Sequence, residues 1–403
     1  MKPTRLVLAS LLLLMPTSFA VAQDIKVGGQ LRPRGEFRDP FSGGAGDSDA
    51  FVSMRARANI TALLEKNITI FLQVQDVRLW GEETNTLTDF NANNFDLHQG
   101  YIDIKSNDKN LFGRVGRQEV NWGGQRLVGA VGWTQQGRSF DGVMLGGSGG
   151  FGKVNIFAAQ LGNAVASGID RDSELLAGYG TIDVAENQAV DLYVVFNRAD
   201  NPAGTANTDT EQTTFGARWV GVGNGFVYRA EGSFQTGQRG GTDVSAYMFG
   251  GRVGYGFLDG DARLTLWYDY LSGDDDADDG ELKVFDTLFA TNHKFYGFAD
   301  LFLNIPAHTA GQGLQDLALK FAVVPADDWR LGVDAHSFRL AKTGGFESGH
   351  LGEEVDLVAT WTYSPNLTIQ GGAAFVIQDD TWADIGRLSE NMTWLYLMMD
   401  AKF

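Results

Sequence analysis

No cysteine occurs in the 403-residue sequence, which excludes disulfide staples, thiolate-bound zinc, a thiol nucleophile and a lipid anchor on cysteine. Basic residues are scarce, 32 against 50 acidic, and the net charge of −18 argues against non-specific nucleic-acid binding. Long apolar runs are also lacking. The one candidate, Leu6–Met15, is about half the roughly 20 residues that a membrane-spanning helix needs. It sits between Lys2 and Arg5 on one side and Ala20-Val21-Ala22 on the other, so residues 1–22 read as a secretory signal peptide. Removing it takes two positive charges and leaves a mature chain, Gln23–Phe403, at −20. No Pro- or Ser-rich linker divides that chain, which predicts one domain over residues 23–403.

What recurs is alternation with period two. In "IKVGGQLRPRGEFR", Ile25, Val27, Leu31 and Phe37 share one parity, while Lys26, Gln30, Arg32, Arg34 and Glu36 share the other. The same split separates Val52, Met54 and Ile60 from Ser53, Arg55 and Arg57. It recurs as Phe226, Tyr228 and Phe234 against Arg229, Glu231 and Gln235, and as Leu264, Leu266 and Tyr268 against Arg263 and Asp269. Successive side chains of a strand face opposite ways, so one face can meet lipid and the other water. Segments of about ten residues with this pattern predict an all-β fold, a transmembrane antiparallel β-barrel. The barrel must close, because an open edge in hydrocarbon leaves backbone groups unpaired.

Short polar turns fall at Glu65–Asn67, Ser106–Asn110, Gly146–Gly150, Ala185–Asn187, Gly221–Gly225, Leu258–Gly260, Pro325–Asp328 and Ser364–Asn366. Longer polar stretches lie between them. With short turns periplasmic, long loops outside and both termini periplasmic, eight turns predict 18 strands. Tyr255, Phe257, Trp329, Trp361 and Tyr363 crowd the turns, as an interfacial girdle does. Pro33 is expected to mark a bulge or a strand start. The terminal "WLYLMMDAKF" alternates and ends on Phe403, resembling the signal read by the barrel assembly machinery. The expected location is the bacterial outer membrane, with membrane lipid and lipopolysaccharide around a monomer.

The stretch "GRQEVNWGGQRLVGAVGWTQQGRSFDGVML" has no helical apolar period after its glycines, so it is no phosphate cradle. It resembles the central signature of the alginate export porin family. "FDTLFATNHKFYGFADLF", "GQGLQDLALKF" and "EEVDLVATWTYSPNLTIQGGAAFV" resemble it further along, in the same order. The resemblance implies an 18-stranded outer-membrane barrel whose arginine-rich lumen passes an anionic polysaccharide such as alginate. A barrel of this girth encloses an aqueous channel, where guanidinium groups stay solvated and can bind carboxylates. Arg32, Arg34, Arg55, Arg57, Arg117, Arg126, Arg138, Arg229 and Arg263 are the expected pore-lining residues, with Arg117 and Arg138 at the constriction. A general anion or acidic-oligosaccharide porin is the alternative.

Enzymatic readings are weaker. Gly146–Gly150 matches G-x-S-x-G without the strand–turn–helix context, and the Asp334/His336 pair lacks the further aspartates of barrel proteases. A barrel hydrolase is therefore the least favoured reading, and no catalytic residue or cofactor is assigned. The acidic "GDDDADDGELK" reads as a solvated outer loop. Its residues Asp274, Asp276 and Asp278 are weak calcium candidates, because the glycine of an EF-hand loop is missing. The stretch Gly273–Gly311 is expected to carry this acidic tip outside and to fold Phe285–Phe302 back towards the pore.

Overall fold

The alternating segments form strands longer than ten residues in most cases. A computed structural model describes residues 24–40, 47–82, 95–162, 172–200, 209–276 and 278–403; the assigned signal peptide lies outside them. The first nine strands are β1 (Asp24–Asp39), β2 (Asp49–Leu64), β3 (Ile68–Leu79), β4 (Phe95–Lys105), β5 (Leu111–Gln118), β6 (Phe140–Gly149), β7 (Gly152–Gly162), β8 (Ser173–Ala185) and β9 (Gln188–Ala199). They continue as β10 (Thr210–Gly223), β11 (Phe226–Arg239), β12 (Thr242–Phe257), β13 (Ala262–Leu271), the two-residue β14 (Glu281–Leu282) and β15 (Leu314–Ala326). The wall ends with β16 (Trp329–Arg339), β17 (His350–Ser364), β18 (Leu367–Gln378) and β19 (Met392–Lys402).

Each wall strand pairs antiparallel with its chain neighbour, and β1 pairs with β19. Only β14 stands apart, as a parallel bridge to the start of β12. The wall is thus a closed antiparallel barrel of 18 strands. Closure is completed by Gly29 and Phe403, whose backbone amides each donate to the other's carbonyl at 3.0 and 3.2 Å. Pro33 lies inside β1 and not at a start. It keeps its pairing to β2, while the ladder to β19 skips Arg32 and Pro33, where the ring nitrogen has no hydrogen to give.

All eight short connections sit at one end, with both termini. Five are tighter than the sequence suggests, Gly150–Phe151, Glu186–Asn187, Asn224–Gly225, Asp327–Asp328 and Pro365–Asn366, because the flanking strands run on into the expected turn residues. At the opposite end β11 and β12 are joined by Gly240-Gly241 alone, at φ 61° and 84°, values that glycine adopts without strain. That two-residue hairpin is absent from the loops read off the sequence.

The parity rule holds round the wall. Ile25, Val27 and Leu31 are exposed on the outer face, while Arg32, Arg34 and Glu36 on the other parity are buried inside. Trp329 and Trp361 stack at 5.7 Å near the turn end, with Trp361 donating to Asp328 at 2.9 Å, a piece of the expected girdle. Among the described residues no helix is long and apolar enough to cross a membrane.

The lumen departs from an open aqueous tube. Residues 119–139, between β5 and β6, and 283–305, between β13 and β15, turn inwards and pack on each other and on the wall. The Gly129 amide donates to the Phe289 carbonyl and the Phe289 amide to the Leu127 carbonyl, at 2.9 Å each, and Val128 bridges to Phe289. Phe285, Tyr296, Phe302 and Ile305 of the second segment are fully buried beside wall residues Phe157, Leu175, Leu271 and Trp394. The loop-end half of the lumen is therefore a packed apolar core. Along β12 the lumen-facing series passes from Val244, Ala246 and Met248 to Gly250, Arg252 and Gly254, and the core stops there.

Candidate functional site

Below that core lies a cavity of about 1160 Å³, reaching the turn end and lined by both turn and wall residues. Its basic side is built on adjacent strands: Arg218 of β10, Arg252 of β12, Arg263 of β13, Lys320 of β15 and Arg330 of β16. Gly254 and Gly256 face the lumen beside Arg252 and lie opposite Thr265 and Arg263, so the wall there is thin and the guanidinium groups have room. Arg252 feels the charges of Arg218 and Arg263. Lys294, from the inward segment, lies close to the same patch. Its ammonium is held below the ordinary lysine range by burial and then by Arg252 and Arg218.

The members of this patch differ in their partners. Arg218 is paired with Asp191 at 2.5 Å, and Lys320 with Asp334 at 2.6 Å. Among the described residues no ion pair ties Arg252, Arg263 or Arg330, and Arg252 lies over the Trp267 ring at 5.3 Å. The opposite side carries Trp133 and His293 from the tips of the two inward segments, stacked at 4.2 Å, with Phe298 behind His293 at 5.4 Å.

Of the nine arginines singled out in the sequence, only Arg263 lines this cavity. Arg32, Arg34 and Arg55 face the lumen as their parity requires but are buried under the first inward segment. They donate to the carbonyls of Gly132, Trp133, Thr134 and Gln135. Arg57 is tied to Glu119 at 3.3 Å. Arg229 lies over Trp267 and donates to Asp269 at 2.9 Å. Arg126 is 2 % exposed inside the packed core, where it meets Asp269 at 2.7 Å, Glu231 at 3.3 Å and Tyr296 at 2.8 Å. Burial opposes its charge, but Asp269 foremost raises its affinity for the proton.

The two residues expected at the constriction are corrected. Arg117 shares its face of β5 with Leu111 and Val115, which are exposed, and so points out of the barrel. There it pairs with Asp141 at 2.7 Å, near the loop end. The glycine at 116 shifts nothing in parity, and the signature continues as strand up to Gln118. Arg138 does face inwards, but its guanidinium joins the two inward segments through the carbonyls of Gly129, Phe289 and Ala290. Missed by the sequence reading were Arg218, Arg252, Lys320 and Arg330. The Gly240-Gly241 turn was the available signal, because it sets Arg252 opposite Arg229.

The catalytic candidates dissolve in the same way. Gly146–Gly149 is strand β6, and the chain turns at Gly150–Phe151 into another strand. His336 is buried, with Nδ1 at 2.8 Å from Asp316 and Nε2 at 3.0 Å from Lys320, which itself holds Asp334. No face of the imidazole is left to activate water. Among the described residues no group of three or more His, Asp or Glu could hold a metal. Asp274 and Asp276 instead accept from the backbone amides of Asp276 and Asp278 at 3.2 Å each.

The alginate export family model matches residues 23–387. The chain belongs to the alginate export family. Among curated proteins no sequence matches it. Solved structures resemble its fold. OccK3 (OpdO) of Pseudomonas aeruginosa is 11 % identical, with a TM-score of 0.65 over 95 % of this chain and 97 % of that one. OccAB4 of Acinetobacter baumannii is 10 % identical, with a TM-score of 0.65 over 95 % and 98 %. OprD of P. aeruginosa is 12 % identical, with a TM-score of 0.61 over 95 % and 94 %. This alginate export family member is an outer-membrane channel rather than an enzyme, and its place is the bacterial outer membrane. Its turn end is periplasmic, so the basic cavity opens on the periplasm and the packed core faces outwards.

Proposed function

We propose that the channel passes an anionic polysaccharide such as alginate outwards from the periplasm by passive diffusion. The observation that carries this reading is the basic patch on the periplasmic cavity, above all Arg252 and Arg263, which face it without a carboxylate partner. A guanidinium fork suits a planar carboxylate, and in a confined lumen it acts with little screening. A polymer with one carboxylate per sugar could step along Arg330, Lys320, Arg263 and Arg252. The overall negative charge of the protein is compatible with this, since acidic residues crowd the outer stretch Asp274–Glu281.

A general anion or acidic-oligosaccharide porin is the second reading. The packed outer half of the lumen favours it, as short solutes need less movement of the inward segments. Single-channel recording with oligouronates added on the periplasmic side separates the two. Length-dependent block, absent with neutral oligosaccharides, is expected for a polymer path; anion selectivity without such block leaves the porin reading.

A further inference from the structure

Arg32 and Arg55 are 5 % and 4 % exposed, yet every hydrogen bond they make goes to a neutral oxygen. Among the described residues no carboxylate pairs with either. Asp400 and Glu119 act on them only through space, while Arg34 and Arg57 add like charge. Buried charges without counter-charges are costly and are rarely left so without a reason. Arg55 donates to the side-chain oxygen of Gln30 on β1 at 2.9 and 3.1 Å, and Arg32 to that of Gln135 at 3.0 Å; their other acceptors are backbone carbonyls of one short segment. Gly132 and Thr134 accept from Arg32 at 2.8 Å, Trp133 from Arg32 at 3.0 Å and from Arg34 at 2.9 Å, and Thr134 and Gln135 from Arg55 at 3.2 and 3.3 Å.

That segment is the tip of the first inward stretch, and Trp133 in it also packs against Arg34, Trp394 and Tyr396. A bond from the Arg138 amide to the Ala130 carbonyl, 2.7 Å, closes its base, and Arg138 clamps the base to the second inward segment. It is bracketed by Val131 at φ 49° and Gly137 at φ 70°. A β-branched residue at positive φ is strained, so part of the cost of holding the tip is stored at its hinge. Trp133, at the apex, lines the periplasmic cavity.

We propose that Arg32, Arg34 and Arg55 form a carboxylate-binding site that the segment Gly132–Gln135 occupies as a built-in substitute, and that a polyanion entering the periplasmic cavity displaces it. The proposal rests on the reading that the channel takes carboxylate-bearing saccharides. Carbonyl oxygens are neutral acceptors; carboxylates make charge-assisted bonds about twice as strong and supply the missing counter-charge. Only a ligand that binds the arginines better than the carbonyls do can open the tip, which makes opening conditional on cargo. Arg34 already holds Glu36 at 2.8 Å, so Arg32 and Arg55 carry most of the gain.

The chain's lack of cysteine gives a clean reporter. Ser53 is buried beneath the tip, with Gln135 donating to its hydroxyl at 3.0 Å. In full-length S53C, reconstituted in bilayers, the labelling rate with an impermeant maleimide should rise about tenfold with a short oligouronate, as a tenfold shift in open population requires. A neutral oligosaccharide of equal length should leave it unchanged. The response should vanish in S53C/R32M/R55M. If that variant loses heat-modifiable migration, S53C/R55K, which keeps the charge but not the fork, should show a reduced response. Block of current with unchanged labelling would overturn the proposal and leave the channel reading standing. Equal labelling with both saccharides would also overturn it, by removing charge as the cause. Neither block nor labelling with oligouronate would sink both.

Discussion

Arg252, Arg126 and Arg117 are three arginines on one barrel with three environments: open cavity, packed core and outer face. On the proposed function, selectivity belongs to the first. Replacing Arg252 and Arg263 by Glu exchanges two unpaired positive charges for negative ones in a confined space. The reversal potential should move towards cation selectivity, with heat-modifiable folding intact. R117E should leave the reversal potential unchanged, because its side chain does not see the lumen; a shift there would refute its outward placement. For Arg126 the expected loss is stability. R126M leaves the buried Asp269 and Glu231 to share Arg229, and since removing one partner of a buried pair costs about 3–5 kcal/mol, the loss should approach the lower end of that range. A lower midpoint in the heat-modifiable transition measures it. Parity alone marked six of the nine arginines as inward, but parity says nothing of what lies across the lumen.

The two inward segments are the elements that turn a tube into a cavity closed off on its loop side. The first is anchored at its start by Glu119, which takes His98 at 2.7 Å and Arg57 at 3.3 Å. Burial pushes the Glu119 carboxylate up, but the His98 hydrogen bond and the Arg57 charge outweigh it and hold it below the ordinary range. A depressed carboxylate stabilises the fold above its unfolded value, about 4.3, and that stability is lost as pH falls through the folded value. Amide protection over residues 119–139 should therefore hold from neutral pH down to about 5 and drop below about 4. In E119Q that pH dependence should flatten; a wild-type profile unchanged down to pH 3 would show that the anchor lies elsewhere. The return of Phe285–Phe302 to the lumen was legible, since an aromatic, weakly charged stretch after "DDDADD" has no reason to stay in water. Its depth was not read. The sign lay in β12, where Val244, Ala246 and Met248 face inwards while Tyr247 and Phe249 face out, so both faces needed cover.

At the scale of the molecule, one closed sheet holds every wall strand, and the seam is the pairing of β1 with β19. Deleting residues 392–403 should leave β1 and β18 with unpaired edges in hydrocarbon and abolish heat-modifiable migration, whereas F403A should keep the seam if its backbone bonds to Gly29 suffice. Closure, strand number and the side of each alternating residue follow from local rules, two residues per repeat and one turn per hairpin, and these were determined by the sequence alone. The family signature was legible in the same way, as residues in order. Which arginines meet solute was decided only by tertiary structure. Strand order brings Arg218, Arg252 and Arg263 to one wall, and the fold of residues 119–139 covers Arg32, Arg34 and Arg55 with carbonyls about a hundred residues away in the chain. Such contacts depend on where the chain returns in space, and no local pattern encodes that return.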